Sequence, residues 1–229
     1  MLLRLLANIG RPTRRATPVA PRVALDPTRR NVLNVGGGSK AIALPPHYAG
    51  WGHLMLDVDP AARPDVLLDA RELARLDAGQ FDAVYCSHNL EHYYAHDVPK
   101  VLAGFAHVLK HDAFAEIRVP DVGAVARELV ERGRDMDDIL YLSPAGPISV
   151  RDVLYGFGRA IEKTGTEFYA HKTGFTRRAL ATALSHAGFG HVYALAPLAA
   201  FEIRAVALCS PAVQYHRTLL GLGETPEPL

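Results

Sequence analysis

The chain has 229 residues, 49% of them hydrophobic, with 25 Lys+Arg against 24 Asp+Glu and a net charge of +1. That length suits one globular domain with a sizeable core, and the balanced charge gives no overall pull toward nucleic acid, so no nucleic-acid partner is expected. No run of about 18 apolar residues is present, so no transmembrane helix is expected, while Cys86 and Cys209, each in an apolar run, read as buried thiols of a reducing, cytoplasmic compartment.

Residues 1–30 read as a basic, flexible N-terminal arm. Leu2, Leu3, Leu5, Leu6 and Ile9 make a short amphipathic stretch, and a basic, proline-broken linker follows. Two helical turns bury little area, which limits any membrane-surface contact to a weak one. A signal peptide needs a longer apolar region than this. From Asn31 the pattern becomes regular. "VLNV" is a buried strand ended by glycine, "LMLDV" a second strand beyond the Pro45-Pro46 break, "PDVLLDA" a short third and "FDAVYCS" a fourth. Val98, Val101, Leu102, Phe105, Val108 and Leu109 then share one helical face, with Asp97 as N-cap.

"AFAEIRVP" is a fifth strand closed by Pro120. Residues 121–134 and 149–163 read as two helices, and 135–165 as a helical insertion. "TGFTRRALATALSHAGFG" is a helix capped by Thr176 and stopped at Gly188. "HVYALA" and "AFEIRAVALCS" are strands joined so tightly that they pair antiparallel. The fold class is therefore α/β: a doubly wound, mostly parallel seven-stranded sheet with a C-terminal antiparallel hairpin. Residues 31–209 form the domain, and 210–229 a loosely held tail.

Gly36-Gly37-Gly38 directly after a buried strand points to a nucleotide loop. A P-loop needs Lys-Ser/Thr after its last glycine, and the order here is Ser39-Lys40. Gly36-x-Gly38-x-x-Ala41 formally fits a dinucleotide loop, with Asp57 at the distance of a ribose ligand. That loop must open into a helix that holds the pyrophosphate, and "KAIALPPHYAGWG" carries two prolines there. A ligand with an adenosine and an amino-acid end, S-adenosylmethionine, needs the glycines and the acid without the pyrophosphate helix. Asp57 then takes the ribose diol, with Asp59 as a turn cap and runner-up. Asp69 and Ala70 stand where adenine is contacted, and Ser87 lines the pocket through its backbone.

"LNVGGGS", "GWGHLMLDVDP", "FDAVYCSHNLEHY" and "HKTGFTRRALATALSHAGF", in this order, resemble the class I S-adenosylmethionine-dependent methyltransferases, and among them the small type 11-like bacterial ones. The resemblance covers roughly residues 31–209. Two positions depart from it: Asn34 stands where the family's first motif carries an acid, and Lys40 where it carries its third glycine. It implies methyl transfer from S-adenosylmethionine to a small-molecule or glycan acceptor.

His88, Glu91 and His92 form the sharpest cluster. A short helix after the fourth strand sets His88 and His92 on one face, looking into the crevice at the sheet's carboxyl edge. Methyl transfer needs aligned reactants and, for a hydroxyl or amine acceptor, a base of near-neutral pKa; His92, then His88, are the candidates. Glu91 orients an imidazole. His171 and Tyr155 are candidate acceptor contacts, and Tyr141, Phe157 and Arg159 lie in the segment expected to select the acceptor. No metal is expected, because two histidines alone do not make a ligand set. An NAD-dependent oxidoreductase and a non-catalytic protein on the same fold stand as the alternatives.

Overall fold

Strand β1 (Asn31–Val35) is buried at every residue, as an apolar run in the middle of a parallel sheet must be. The structure, a computed structural model, describes residues 23–223. The amphipathic stretch expected near the start of the arm lies outside the described residues, as do residues 224–229. The described end of the arm is not loose: Val23 and Leu25 pack against the main core.

The chain continues through β2 (Gly52–Asp57), β3 (Val66–Leu67), β4 (Phe81–Ser87), helix α1 (Val98–Val108) and β5 (Leu109–Pro120). After α2 (Val122–Glu131) come a small hairpin, β6 (Ile139–Ser143) and β7 (Gly146–Ser149), and two short helices, α3 (Val150–Tyr155) and α4 (Gly158–Thr164). Helix α5 (Arg177–His186), β8 (His191–Leu195), β9 (Glu202–Leu208) and α6 (Gln214–Leu220) complete it. The seven strands order as β3-β2-β1-β4-β5-β9-β8. The first five are parallel, β9 runs antiparallel to β5, and β8 antiparallel to β9. This is the expected α/β class with its C-terminal antiparallel pair. The strand order reverses direction beside β1 and β4, where open α/β sheets bind ligands at their carboxyl edge.

One face of the sheet packs Leu102, Phe105, Leu180 and Leu184 of α1 and α5. The other face holds Tyr48, Phe114 and Leu220. The Pro45-Pro46 break leads into a single 3-10 turn, Pro46–Tyr48. That turn carries His47 and Tyr48 to buried Glu116 at 2.8 and 3.0 Å, where Arg204 also donates at 2.8 Å.

Several local expectations change. Asp97 sits before α1 but makes no side-chain cap; its carboxylate takes Arg71 at 3.1 Å instead. The expected helix over 149–163 breaks at Gly156, whose φ of +97° turns the chain, and the connection before it is a hairpin rather than helix. A Cβ at Gly156 would overlap the Tyr169 carbonyl, so this close crossing favours glycine. The tail expected to be loose from residue 210 holds α6, with His216 donating to the Asp112 carbonyl at 2.9 Å and Leu220 buried. Apolar side chains spaced along that helix had a sheet face left to cover. Cys86 is buried, but Cys209 follows the end of β9 and is exposed.

Candidate functional site

The turn after β1 lies at the carboxyl edge of the sheet. Gly36 adopts φ +69° and Gly38 φ +63°, the left-handed region that glycine enters without steric cost. A Cβ on Gly36 would collide with Asn89, and one on Gly37 with Asn34. Residues 37–45, all described, form no helix, which removes the pyrophosphate anchor of the dinucleotide reading. Asp57 closes β2 and is nearly buried; its two carboxylate oxygens accept the Gly38 and Asp59 N–H groups at 2.9 Å each. Asp57 thus ties the glycine loop to the second strand. Asp59 caps the turn Pro60–Ala62 through Ala61 N–H, the role expected of the runner-up.

Asp69 caps the 3-10 turn Ala70–Arg75 and pairs with the Arg71 guanidinium at 2.7 Å. Burial pushes the Asp69 carboxyl up, but its bonds from Arg71 outweigh that and hold it below the usual range. Asp57, Asp59 and Asp69 line a cavity of about 370 Å³ with Gly36, Gly38 and Asn89. Ala70 is buried beneath the turn and Ser87 half-buried in the sheet; neither lines that cavity, because the chain presents Asp69 and Arg71, and His88 and Asn89, in their places. Asn89 Oδ1 is buried with no hydrogen-bond partner among the described residues, an acceptor open to a ligand or water. Asn34 lies below the loop, its amide 3.2 Å from His53, and Lys40 pairs with Asp65 at 2.6 Å rather than with the loop.

The histidine cluster follows β4. The expected helix is a single 3-10 turn, Leu90–His92, so His88 and His92 do not share a helical face. His88 has φ +49°, a conformation that costs a bulky residue energy and concentrates at functional sites. Its Nε2 meets Glu202 at 3.0 Å, and its Nδ1 stands 3.6 Å from Glu91. Burial lowers the His88 pKa, but the bond to Glu202 and the nearby negative charge of Glu91 outweigh it and raise it to about 9. A protonated imidazole has no lone pair to accept a proton, which argues against His88 as base.

His92 donates its Nδ1–H to the Ala170 carbonyl at 3.0 Å, leaving Nε2 as the lone-pair nitrogen. His171 does the same through Nδ1 to the Val153 carbonyl at 2.9 Å, and its ring lies 5.1 Å from that of His92. Burial drives the His171 pKa down, beyond what Glu91 restores. The Glu91 carbonyl accepts the Lys172 and Thr173 N–H groups at 2.8 and 3.2 Å, which fixes the His171 loop against the turn.

A second cavity of about 240 Å³ opens here, lined by His88, Glu91, His92 and His171 below and by Tyr141, Phe157 and Phe201 above. The two cavities share His88, His92 and Tyr169. Tyr155 does not take part through its side chain, which is 61% exposed; its carbonyl accepts the His171 N–H at 3.0 Å. Arg159 lines neither cavity. Asn89, Tyr93, Tyr94 and Lys172 join the larger cavity without having been singled out in the sequence. Asn89 sits inside the quoted "CSHNLEHY" segment, so its neighbourhood was the available signal.

The sequence matches a family described as a methyltransferase domain over residues 10–194. No curated protein matches it. Among solved structures, the PH0226 protein from Pyrococcus horikoshii OT3 superposes with a TM-score of 0.51 at 14% identity, over 79% of this chain and 82% of that one. A SAM-dependent methyltransferase from Archaeoglobus fulgidus gives 0.47 at 15% identity, over 78% and 86%. The CMeT domain of the citrinin polyketide synthase gives 0.47 at 14%, and the chain spans about half of that structure, 47%.

Proposed function

Since the chain belongs to the methyltransferase domain family, we propose that it transfers a methyl group from S-adenosylmethionine to a small-molecule or glycan acceptor. The observation that carries this reading is the meeting of two cavities at His88, His92 and Tyr169. One has the glycine loop and Asp57, the other a histidine cluster under aromatic side chains.

The residues of the larger cavity suit the cofactor. Asp57 keeps further lone pairs for the ribose diol while holding the Gly38 N–H. Gly36 and Gly38 present bare backbone to the cavity, whereas Gly37 lies against Asn34 and Met55 and does not line it, and the Asn89 Oδ1 offers an acceptor for a hydroxyl or ammonium. Asn34 supplies no charge where the family's first motif carries an acid. The bound cofactor supplies an electrophilic methyl group on a sulfonium.

The chain's own residues then orient and exclude water. Tyr141, Phe157 and Phe201 offer flat apolar faces to an acceptor, and a cavity of this size holds one small molecule or one sugar unit. His92 Nε2 is the ring nitrogen of the shared wall not used on a backbone carbonyl, placed to take the proton of an acceptor hydroxyl or amine. The test is incubation with methyl-labelled S-adenosylmethionine and a whole-cell extract, separated by molecular mass afterwards. Label should move to a small acceptor and the transfer should fall by about 100-fold or more in His92→Ala. Equal transfer by that variant contradicts the role, and labelling of macromolecules alone contradicts the acceptor class.

A further inference from the structure

Glu91 is the most anomalous side chain in the described structure. It is 1% exposed, and neither of its carboxylate oxygens has a hydrogen-bond partner. The nearest imidazole nitrogens stand off, His88 Nδ1 at 3.6 Å and His171 Nε2 at 3.9 Å. A buried carboxylate without hydrogen bonds is costly, and an imidazole at 3.6 Å offsets that only in part.

One ligand atom each from Glu91, His92 and His171 lie within 4.8 Å of one another. Both histidines donate Nδ1–H to backbone carbonyls, Ala170 and Val153. That is the outer-shell arrangement of metal-bound imidazoles, in which the second nitrogen fixes ring orientation and tautomer. Around a tetrahedral zinc the donor atoms stand about 3.3 Å apart, so side-chain shifts of about 1 Å would close the set.

We propose that Glu91, His92 and His171 bind a first-row divalent transition metal ion, leaving one coordination position open to the acceptor cavity. Two imidazoles and one carboxylate select such an ion over magnesium or calcium, which prefer all-oxygen ligands. Three protein ligands are also the number that leaves room for an exogenous oxygen. The cavity wall there is the one shared with Tyr141 and Phe201. The open position takes an acceptor hydroxyl or carboxylate oxygen, a part of the proposal that rests on the methyltransferase reading; metal binding itself does not. The two roles of His92 exclude each other: in the ion-free chain its Nε2 lone pair faces the acceptor as a base, and with the ion bound that lone pair is committed and His92 serves transfer as a ligand.

The sequence hid this site because His171 lies 79 positions from His92, and two histidines near one glutamate made no ligand spacing. The loop that brings His171 in is held by backbone bonds to the Glu91 carbonyl, which no side-chain pattern reveals.

The test uses the full untagged chain, stripped with a chelator and titrated with Zn²⁺ against a chromophoric competitor, and with Co²⁺ for its visible absorption. One ion per chain should bind, with affinity falling by about 10- to 100-fold or more in His171→Ala and in Glu91→Gln. The exposed-histidine variant His96→Ala should bind as the parent does. Titration with S-adenosylhomocysteine on the same samples reports folding and the cofactor site independently, and Glu91→Gln carries the test if His171→Ala does not fold. No stoichiometric ion, or equal affinity in a folded Glu91→Gln, overturns the metal site and leaves the methyltransferase reading intact. Ion binding without any binding of S-adenosylhomocysteine does the reverse.

Discussion

Glu202 Oε2 lies 3.0 Å from His88 Nε2, across 114 positions of sequence. The same oxygen takes the Arg118 guanidinium at 2.6 and 2.9 Å, and Arg118 donates on to the Tyr85 hydroxyl. The antiparallel strand β9 therefore supplies the carboxylate that fixes His88, at the end of β4, in its left-handed conformation. The C-terminal hairpin both completes the sheet and braces the site.

This arrangement sets an acid dependence. Burial raises the Glu202 pKa, but bonds from His88, Arg118 and the Leu198 N–H outweigh it and bring it from 4.5 to about 2. A depressed carboxylate pKa adds stability above the unfolded value, lost as pH falls between about 4.5 and about 2. For this fully buried side chain the shift corresponds to something on the order of 3 kcal/mol. In Glu202→Gln the melting temperature at pH 7 should fall, and the gap to the parent should narrow toward pH 3. A gap constant with pH would show that Glu202 contributes packing alone.

Gly36 should tolerate no side chain. Its φ of +69° costs an alanine about 1–2 kcal/mol, and the added Cβ meets Asn89. Gly36→Ala is expected to lose S-adenosylhomocysteine binding altogether. Gly38→Ala shares the φ penalty but meets nothing within 4 Å, so it should lose stability with a smaller loss of affinity. Calorimetry on both variants checks the difference; equal losses would place the effect in backbone conformation rather than in the Asn89 contact.

Tyr155 was a reasonable acceptor contact in sequence, being aromatic and within the insertion. With the residue 61% exposed and its carbonyl bonded to the His171 N–H, Tyr155→Ala should change stability by about 0.5 kcal/mol or less and leave methyl transfer unaltered. Tyr141→Ala should impair transfer, since that ring lines the acceptor cavity. A transfer assay on the pair separates them, and the opposite order of effects would sink the assignment of the cavity.

The sheet was legible because buried parallel strands are uniform apolar runs: "VLNV" and "FDAVYCS" emerge as β1 and β4 with hardly a shift. The glycine loop and Asp57 were legible because their spacing encodes a turn and a strand end. Short elements were not. Whether residues 88–92 make an α-helix or a 3-10 turn depends on His88 turning to Glu202, a contact made by a distant strand. The C-terminal tail read as loose because its few apolar residues, ahead of a Gly- and Pro-containing end, carry no sign of the sheet face they cover, where His216 finds the Asp112 carbonyl. The break at Gly156 depends on the passage of Tyr169, again a long-range event.

The central claim is that the Gly36 loop and Asp57 hold S-adenosylmethionine. Calorimetric titration with its product, S-adenosylhomocysteine, is the direct measurement, run beside NAD and with Asp57→Ala. Binding at roughly micromolar affinity is expected for the product and none for NAD, with the variant weaker by about 100-fold as its charged hydrogen bonds to ligand and loop are lost. Binding of NAD with silence toward S-adenosylhomocysteine would contradict the claim and restore the dehydrogenase reading.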